Sequence, residues 1–253
     1  NIVDESSSDT KKIVRDSDLI IIATPLSSYE DVILKIKDSF SSGAILTDVG
    51  SVKETIIHLI EKHIPENISW IPSHPIAGTE DSGPEAGFAD LFKNRWCILT
   101  PSKKSKKEDI DSLKTFWENV GSKVDIMEAN QHDYILSITS HIPHLIAYNI
   151  VNTSLDVQDE KKSAIVKYSA GGLRDFTRIA ASDPLMWKDI FIDNSENILK
   201  VLDNYSKNLN EIKNAIKNKD SKKLLEIFSS TKKVRKEIIE AGQDTDKPGF
   251  GRR

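Results

Sequence analysis

Asp18-Leu19-Ile20-Ile21-Ile22-Ala23-Thr24-Pro25 decides the fold. A continuous β-branched run closed by small residues and Pro marks a strand buried on both faces, and such strands belong to parallel sheets. Downstream, helix and strand alternate. Tyr29 to Lys37 forms a short helix with Val32, Ile33 and Ile36 on one face. Ala44-Ile45-Leu46-Thr47 is the next strand and ends at Asp48-Val49-Gly50-Ser51. Ser51 and Glu54 fit the S-x-x-E capping box and open a helix to about His63. Ile68 to Ile71 is a strand leading into Ser73-His74-Pro75-Ile76-Ala77-Gly78-Thr79-Glu80, and Ser82-Gly83-Pro84 marks a further loop. Trp96 to Thr100 is a strand, Ser105 and Glu108 make a second capping box opening a helix to about Val120, and Lys123 to Met127 is the last strand. Alternation from residue 19 to 127 predicts a doubly wound α/β sheet.

From Asn130 onward the pattern is helical. His132 to about Ser154 is an apolar helix with Pro143 as its kink, and Gly171-Gly172 interrupts the pattern. Asp183-Pro184 supplies an N-cap and an N1 proline for a long helix to about Asn218. Its apolar seam, Ile198, Leu202, Tyr205, Leu209, Ile212 and Ile216, has heptad spacing and wants a facing helix, from this chain or from a second subunit. Asp220 to Glu240 is a further helix stopped by Gly242. The pattern divides the chain into an α/β part over 1–127, a helical part over 128–242 and a polar tail over 243–253.

Composition excludes several classes. With 253 residues, a charged fraction of 29% and a net charge of −4, no basic field draws nucleic acid. No apolar run approaches the roughly 20 residues that span a bilayer. Asn1 to Asp18 is polar and charged, so no signal peptide is expected there, and a cytoplasmic protein is. The single cysteine, Cys97, excludes an internal disulfide framework and sits in an apolar run as a buried, inert thiol.

Five stretches carry candidate chemistry. Ala23-Thr24-Pro25 and Asp48-Val49-Gly50-Ser51 lie at strand ends of the kind that line a cofactor crevice. Ser51 is a helix cap, a residue whose hydroxyl faces the reacting group, or both. Lys53 is expected on the surface. His74, placed just past a strand end, titrates near neutral pH and suits proton transfer with an alcohol; alternatively it is a loop histidine held by the backbone. His141 and His144, three apart on a helix, share a face. That face could hold a metal, but no third ligand set is evident, and an anionic substrate pocket fits it better. Arg174-Asp175-Phe176-Thr177-Arg178 offers an arginine that can hold a carboxylate bidentately, or an ordinary Arg–Asp surface pair. Trp187 is a core residue on chemistry alone.

Taken in order, Asp48 to Lys53, Ser73 to Thr79, Ser140 to His144, and Asp175 to Ala180 followed by Asp183-Pro184 and Trp187 resemble the prephenate dehydrogenases and the related arogenate and cyclohexadienyl dehydrogenases. The resemblance runs from about Asp18 to about Lys236. It implies a doubly wound but partial Rossmann-like, dinucleotide-binding domain over 1–127 followed by an all-helical substrate and dimerisation domain over 128–242, a homodimer, and NAD or NADP as cofactor. It implies oxidative decarboxylation of prephenate or arogenate in tyrosine biosynthesis. By resemblance His74 accepts the hydrogen bond of the substrate C4 hydroxyl, and Ser51 touches that hydroxyl and the nicotinamide. Arg178 holds a carboxylate, His141 and Thr79 line the pocket, and Glu80, Asp175 and Trp187 form its rim. Ala23, Thr24, Pro25, Asp48, Gly50 and Ser51 fall to the cofactor, and no metal is implied. The family's opening strand, G-x-G-x-x-G turn and helix are not found in this sequence, so a unit preceding Asn1 is expected. The alternative is a non-catalytic dimerising or regulatory remnant. A different NAD-dependent hydroxy-acid dehydrogenase is a third possibility, disfavoured because the chemistry gathers at His74 and not at a helix lysine.

Overall fold

The computed structural model describes residues 3–81, 83–155 and 159–240. Gly242, the tail 243–253 and Ser82 lie outside the described residues. In chain order the first elements are α1 (Thr10–Val14), β1 (Leu19–Ile22), α2 (Tyr29–Ile36), β2 (Ile45–Asp48), α3 (Glu54–Glu61), β3 (Ser69–Trp70), β4 (Ser73–Pro75), β5 (Trp96–Leu99), α4 (Lys107–Asn119) and β6 (Lys123–Ile126). Helices follow: α5 (Ala129–Leu136), α6 (Ile142–Leu155), α7 (Asp159–Tyr168), α8 (Gly171–Thr177), α9 (Pro184–Asp193), α10 (Ser195–Lys217) and α11 (Ser221–Ile238).

β1, β2 and β3 form a parallel sheet in that order, with Ile22 opposite Asp48 and Leu46 opposite Trp70. The parallel arrangement follows the sequence. The expected burial of β1 on both faces does not hold: Ile20 and Ile22 are buried, but Ile21 is 38% exposed, so the described residues leave that face partly open. A second sheet, β4-β5-β6, pairs β4 antiparallel and β6 parallel to β5. His74 therefore lies within a strand rather than beyond one. Pro72 causes the switch: it has no N–H for the first ladder, and its carbonyl accepts from Thr100 of the β5 side.

Neither capping box caps its helix. Ser51 lies outside the first turn of α3, and the N–H groups of Lys53 and Glu54 both donate to the Asp133 carboxylate, each at 2.9 Å. Ser105 donates instead to the carbonyl of Trp70 at 2.9 Å. Asp183 does cap α9, accepting from Leu185 and Met186 N–H at 2.8 and 3.0 Å, with Pro184 at N1. The single long helix expected beyond it is two helices, broken at the buried Asn194. The kink at Pro143 is a turn of π-helix over Ser137–His141, in which Ile142 N–H reaches back to the Ser137 carbonyl. A proline ring crowds the carbonyl four residues earlier, and the widened turn relieves that crowding.

The main core joins Ile33, Leu46, Ile56 and Ile60 of the sheet layer with Trp187 and Ile190 of α9. Each fully buried aliphatic side chain stabilises the fold by about 1.5–3 kcal/mol. Contacts group the chain into two compact units that divide after Val201. The first carries both sheets and α5 to α9. In the second, Lys223 and Glu211 pair at 2.9 Å, and Leu209 and Ile216 of the heptad seam are 50% and 61% exposed.

Candidate active site

The end of β2 is fastened by a buried ion pair. Lys53 Nζ lies 2.6 Å from Asp48 Oδ2, and both side chains are 0% exposed. The lysine expected on the surface is thus wholly interior. Its chain position explains this: it precedes α3 at the point where β2 turns inward, and its ammonium also donates to the Ser73 carbonyl at 2.7 Å. Asp48 accepts further from Tyr29 Oη at 3.0 Å, Gly50 N–H at 2.9 Å and Ser73 N–H at 3.1 Å. Gly50 is required by close approach: a Cβ there would lie 2.6 Å from Leu26 Cδ2 and 2.8 Å from Tyr29 Oη. Burial and the Asp48 carboxylate push the Tyr29 phenol far up, so it stays a donor. Cys97 is buried, its thiol pushed up to about 12 by desolvation, as an inert thiol should be.

Beside this network lies a row of imidazoles. His74 Nδ1 is 2.9 Å from His132 Nε2, and His132 Nδ1 is 2.7 Å from Asp133 Oδ1. His74 retains 9% exposure, and no protein group bonds its Nε2 among the described residues. Burial lowers its pKa well below the ordinary value, helped by His132, Lys53 and His141. His132 is lowered by burial against the opposing pull of Asp133. His141, carried on the π turn, is pushed down to about 4 by burial. Its Nδ1 is 3.1 Å from Asn194 Nδ2, and its Nε2 is buried with no hydrogen-bond partner among the described residues. At neutral pH these rings are neutral.

The remaining candidates fall in three places. Ala23, Thr24 and Pro25 are exposed at the end of β1, next to the half-buried Gly50 and Ser51 beyond β2. Asp48 is also at that end, but its carboxylate faces inward and is fully engaged. Trp187 is buried, stacked on His144 with ring centroids 3.7 Å apart, and its indole N–H has no partner among the described residues. His144 donates from Nδ1 to the Ser140 carbonyl at 2.9 Å, since a carbonyl can only accept. Arg178 pairs with Glu80, both partly buried, which brings the chain after β4 to the end of α8. Asp175 instead pairs with Arg174 on the exposed side, and Thr79 is exposed, accepting from Asp81 N–H at 3.3 Å. No group of three potential ligands is placed to hold a metal among the described residues.

Sequence reasoning passed over His132, Asp133 and Asn194. The one available signal was Gln131-His132-Asp133, an imidazole beside a carboxylate, and neighbours on a helix ordinarily face different ways.

A parallel sheet whose strand ends open beside a buried, neutral imidazole, followed by helices, defines a nucleotide-binding α/β protein with a helical second part. Residues 1–126 match the nucleotide-binding domain of prephenate dehydrogenase, and residues 128–230 match its dimerization domain. The chain is 37% identical to cyclohexadienyl dehydrogenase of Zymomonas mobilis, over 93% of this chain and 80% of that protein. It is 30% identical to prephenate dehydrogenase of Bacillus subtilis, over 92% of this chain and 63% of that one. Among solved structures it superposes on prephenate dehydrogenase from A. aeolicus in complex with hydroxyphenyl propionate and NAD+. That match has a TM-score of 0.87 and 36% identity, covering 94% of this chain and 82% of that one. The chain belongs to the prephenate dehydrogenase family.

Proposed function

We propose that the protein catalyses NAD(P)-dependent oxidative decarboxylation of prephenate to 4-hydroxyphenylpyruvate, or of arogenate to tyrosine. The observation that carries this is His74: buried, neutral, and with Nε2 bonded by no protein group among the described residues. Such a ring accepts the C4 hydroxyl proton, the step that a general base must take here. The C1 carboxylate then leaves as CO2 and the ring becomes aromatic, so the protein mainly positions and deprotonates.

Ala23, Thr24, Pro25, Gly50 and Ser51 would hold the dinucleotide at the carboxyl ends of β1 and β2, where open α/β sheets bind nucleotides. Ala23, Thr24 and Pro25 are exposed there and Gly50 and Ser51 are half-buried, which fits that use. Asp48 would serve the same site by fixing the turn, since its carboxylate is engaged inside. A nicotinamide dinucleotide bound there supplies the acceptor for the hydride lost from C4. Ser51 would face the hydroxyl, a role compatible with its not being a helix cap.

His141 Nε2, buried and unpartnered, would donate to a substrate oxygen. Arg178 would hold a carboxylate, steadied by Glu80. Trp187 would contribute its indole N–H, and Thr79 and Asp175 the outer contacts. The active form would be a homodimer in the cytoplasm, with residues 128–242 as the substrate and dimerisation part. The exposed Leu209 and Ile216, together with Leu225 and Phe228 of α11, are the apolar surface that favours pairing.

Turnover of the full-length protein with prephenate and arogenate, each with NAD and NADP, tests this. His74→Asn should lower kcat by about two or more orders of magnitude. Folded protein without turnover on any pairing would overturn the proposal, and an unchanged kcat in the variant would remove His74 from the mechanism.

A further inference from the structure

His74 and His141 act usefully only if their protons are on particular nitrogens, and both rings are tied to a single residue. Asp133 Oδ1 accepts from Lys53 N–H and Oδ2 from Glu54 N–H, each at 2.9 Å. Toward His132 the carboxylate is therefore an acceptor as well, and His132 Nδ1 donates to Oδ1 at 2.7 Å. A neutral imidazole with its proton on Nδ1 accepts at Nε2. His74 must then donate from Nδ1 across the 2.9 Å contact, which leaves its Nε2 lone pair bare.

The second ring is set the other way. Asn197 Nδ2 donates to Asn194 Oδ1 at 2.8 Å, so the Asn194 amide has its oxygen turned that way. Its Nδ2 donates to the Asp133 carbonyl at 2.9 Å and to His141 Nδ1 at 3.1 Å. His141 Nδ1 is thus the acceptor, and its proton sits on Nε2, the buried atom without a partner.

We propose that Asp133 is the root of two hydrogen-bond relays that fix His74 and His141 in opposite tautomers. The side chain sets one through His132, and the main-chain carbonyl sets the other through Asn194. His74 then presents an acceptor and His141 a donor. Neither can exchange roles without breaking a buried hydrogen bond and leaving a buried polar atom unpaired. His132 and Asn194 are positioning residues, and the proposal rests on His74 being the base proposed above. The same carboxylate holds the N-terminus of α3, the helix entered through Ser51 and Lys53. One group thereby registers the strand-end loop against both imidazoles.

Kinetics of the full-length protein separate the relays from simple packing. His132→Leu removes the acceptor for His74 Nδ1 and should lower kcat about 100-fold, the scale of a misplaced general base. His132→Gln keeps an amide oxygen where Nε2 was and should stay within about tenfold of the parent enzyme. Asn194→Ala releases His141 and should raise KM about tenfold while changing kcat little, because the lost interaction is with bound substrate in ground and transition states alike. A merely structural role would lower kcat equally in both His132 variants and would not divide kcat from KM between the two sites. Equal kcat in His132→Leu and His132→Gln, or an unchanged KM in Asn194→Ala, overturns the proposal. If His74→Asn itself keeps full kcat, it is the base assignment that fails. If that variant is inactive while His132→Leu is not, only the relay fails.

Discussion

Two buried polar clusters lie side by side in the first unit, and they are built to opposite ends. In the first, Asp48, Lys53, Ser73 and Tyr29 engage one another closely: the carboxylate accepts from an ammonium, a phenol and two backbone N–H groups. In the second, His74, His132, Asp133, His141 and Asn194 are also buried, yet among the described residues neither His141 Nε2 nor His74 Nε2 has a protein partner. A buried polar atom left unpaired costs stability. The first cluster holds the end of β2 against β4. The second leaves two ring nitrogens unbonded by the described residues, and these are the atoms proposed above to meet the substrate.

The contrast can be broken first at its closed side. Lys53→Met leaves Asp48 buried without its cation and should cost about 3–5 kcal/mol, the penalty of halving a buried pair. Thermal unfolding should show a Tm lower by roughly 10 °C. A Tm within a degree or two of the parent would mean the pair is not holding the strand ends together.

Acid should act on the open side. His74 and His132 are held below their ordinary pKa by burial, and His141 at about 4. Unfolded histidines take up protons near pH 6.5. Between there and the folded values the unfolded chain binds more protons, so stability rises with pH across that window and is lost as pH falls through it. Each such histidine contributes a slope of about 1.4 kcal/mol per pH unit. Denaturant midpoints measured from pH 7 down to 5 should fall steadily. A flat profile would show that these rings are protonated in the fold.

Smaller effects sharpen the boundary. Arg178→Gln should raise the substrate KM about tenfold, the loss of one charge-assisted contact, and initial rates at varied substrate measure it. Ser51→Ala should change Tm by less than about a degree, because Asp133 and not Ser51 caps α3. Losing a true N-cap would cost about 1 kcal/mol. A Tm drop of several degrees would restore the capping box.

The parts legible in the sequence were local. The β-branched run of β1 announced a parallel strand, Asp183-Pro184 announced a helix start, and the ordered motifs announced the family. What stayed hidden depends on residues far apart in the chain. Ser51-x-x-Glu54 carries every local sign of a cap, yet the cap comes from a carboxylate 80 positions away. Lys53 reads as a surface residue because no window around it contains the Asp48–Ser73 pocket that buries it. His132 was absorbed into an apolar helical pattern, and its second partner, His74, lies 58 residues upstream. Asn194 sits inside what reads as one continuous helix, and only tertiary bonds to Asp133 and His141 show why the helix breaks there.

The most direct measurement is nitrogen NMR of the full-length protein with 15N-labelled histidine at pH 7. His74 and His141 are assigned by the signals lost in His74→Asn and His141→Asn. The relays predict His74 protonated on Nδ1 with a bare Nε2, and His141 protonated on Nε2 with a bare Nδ1. A proton on His74 Nε2, or on His141 Nδ1, would contradict the account.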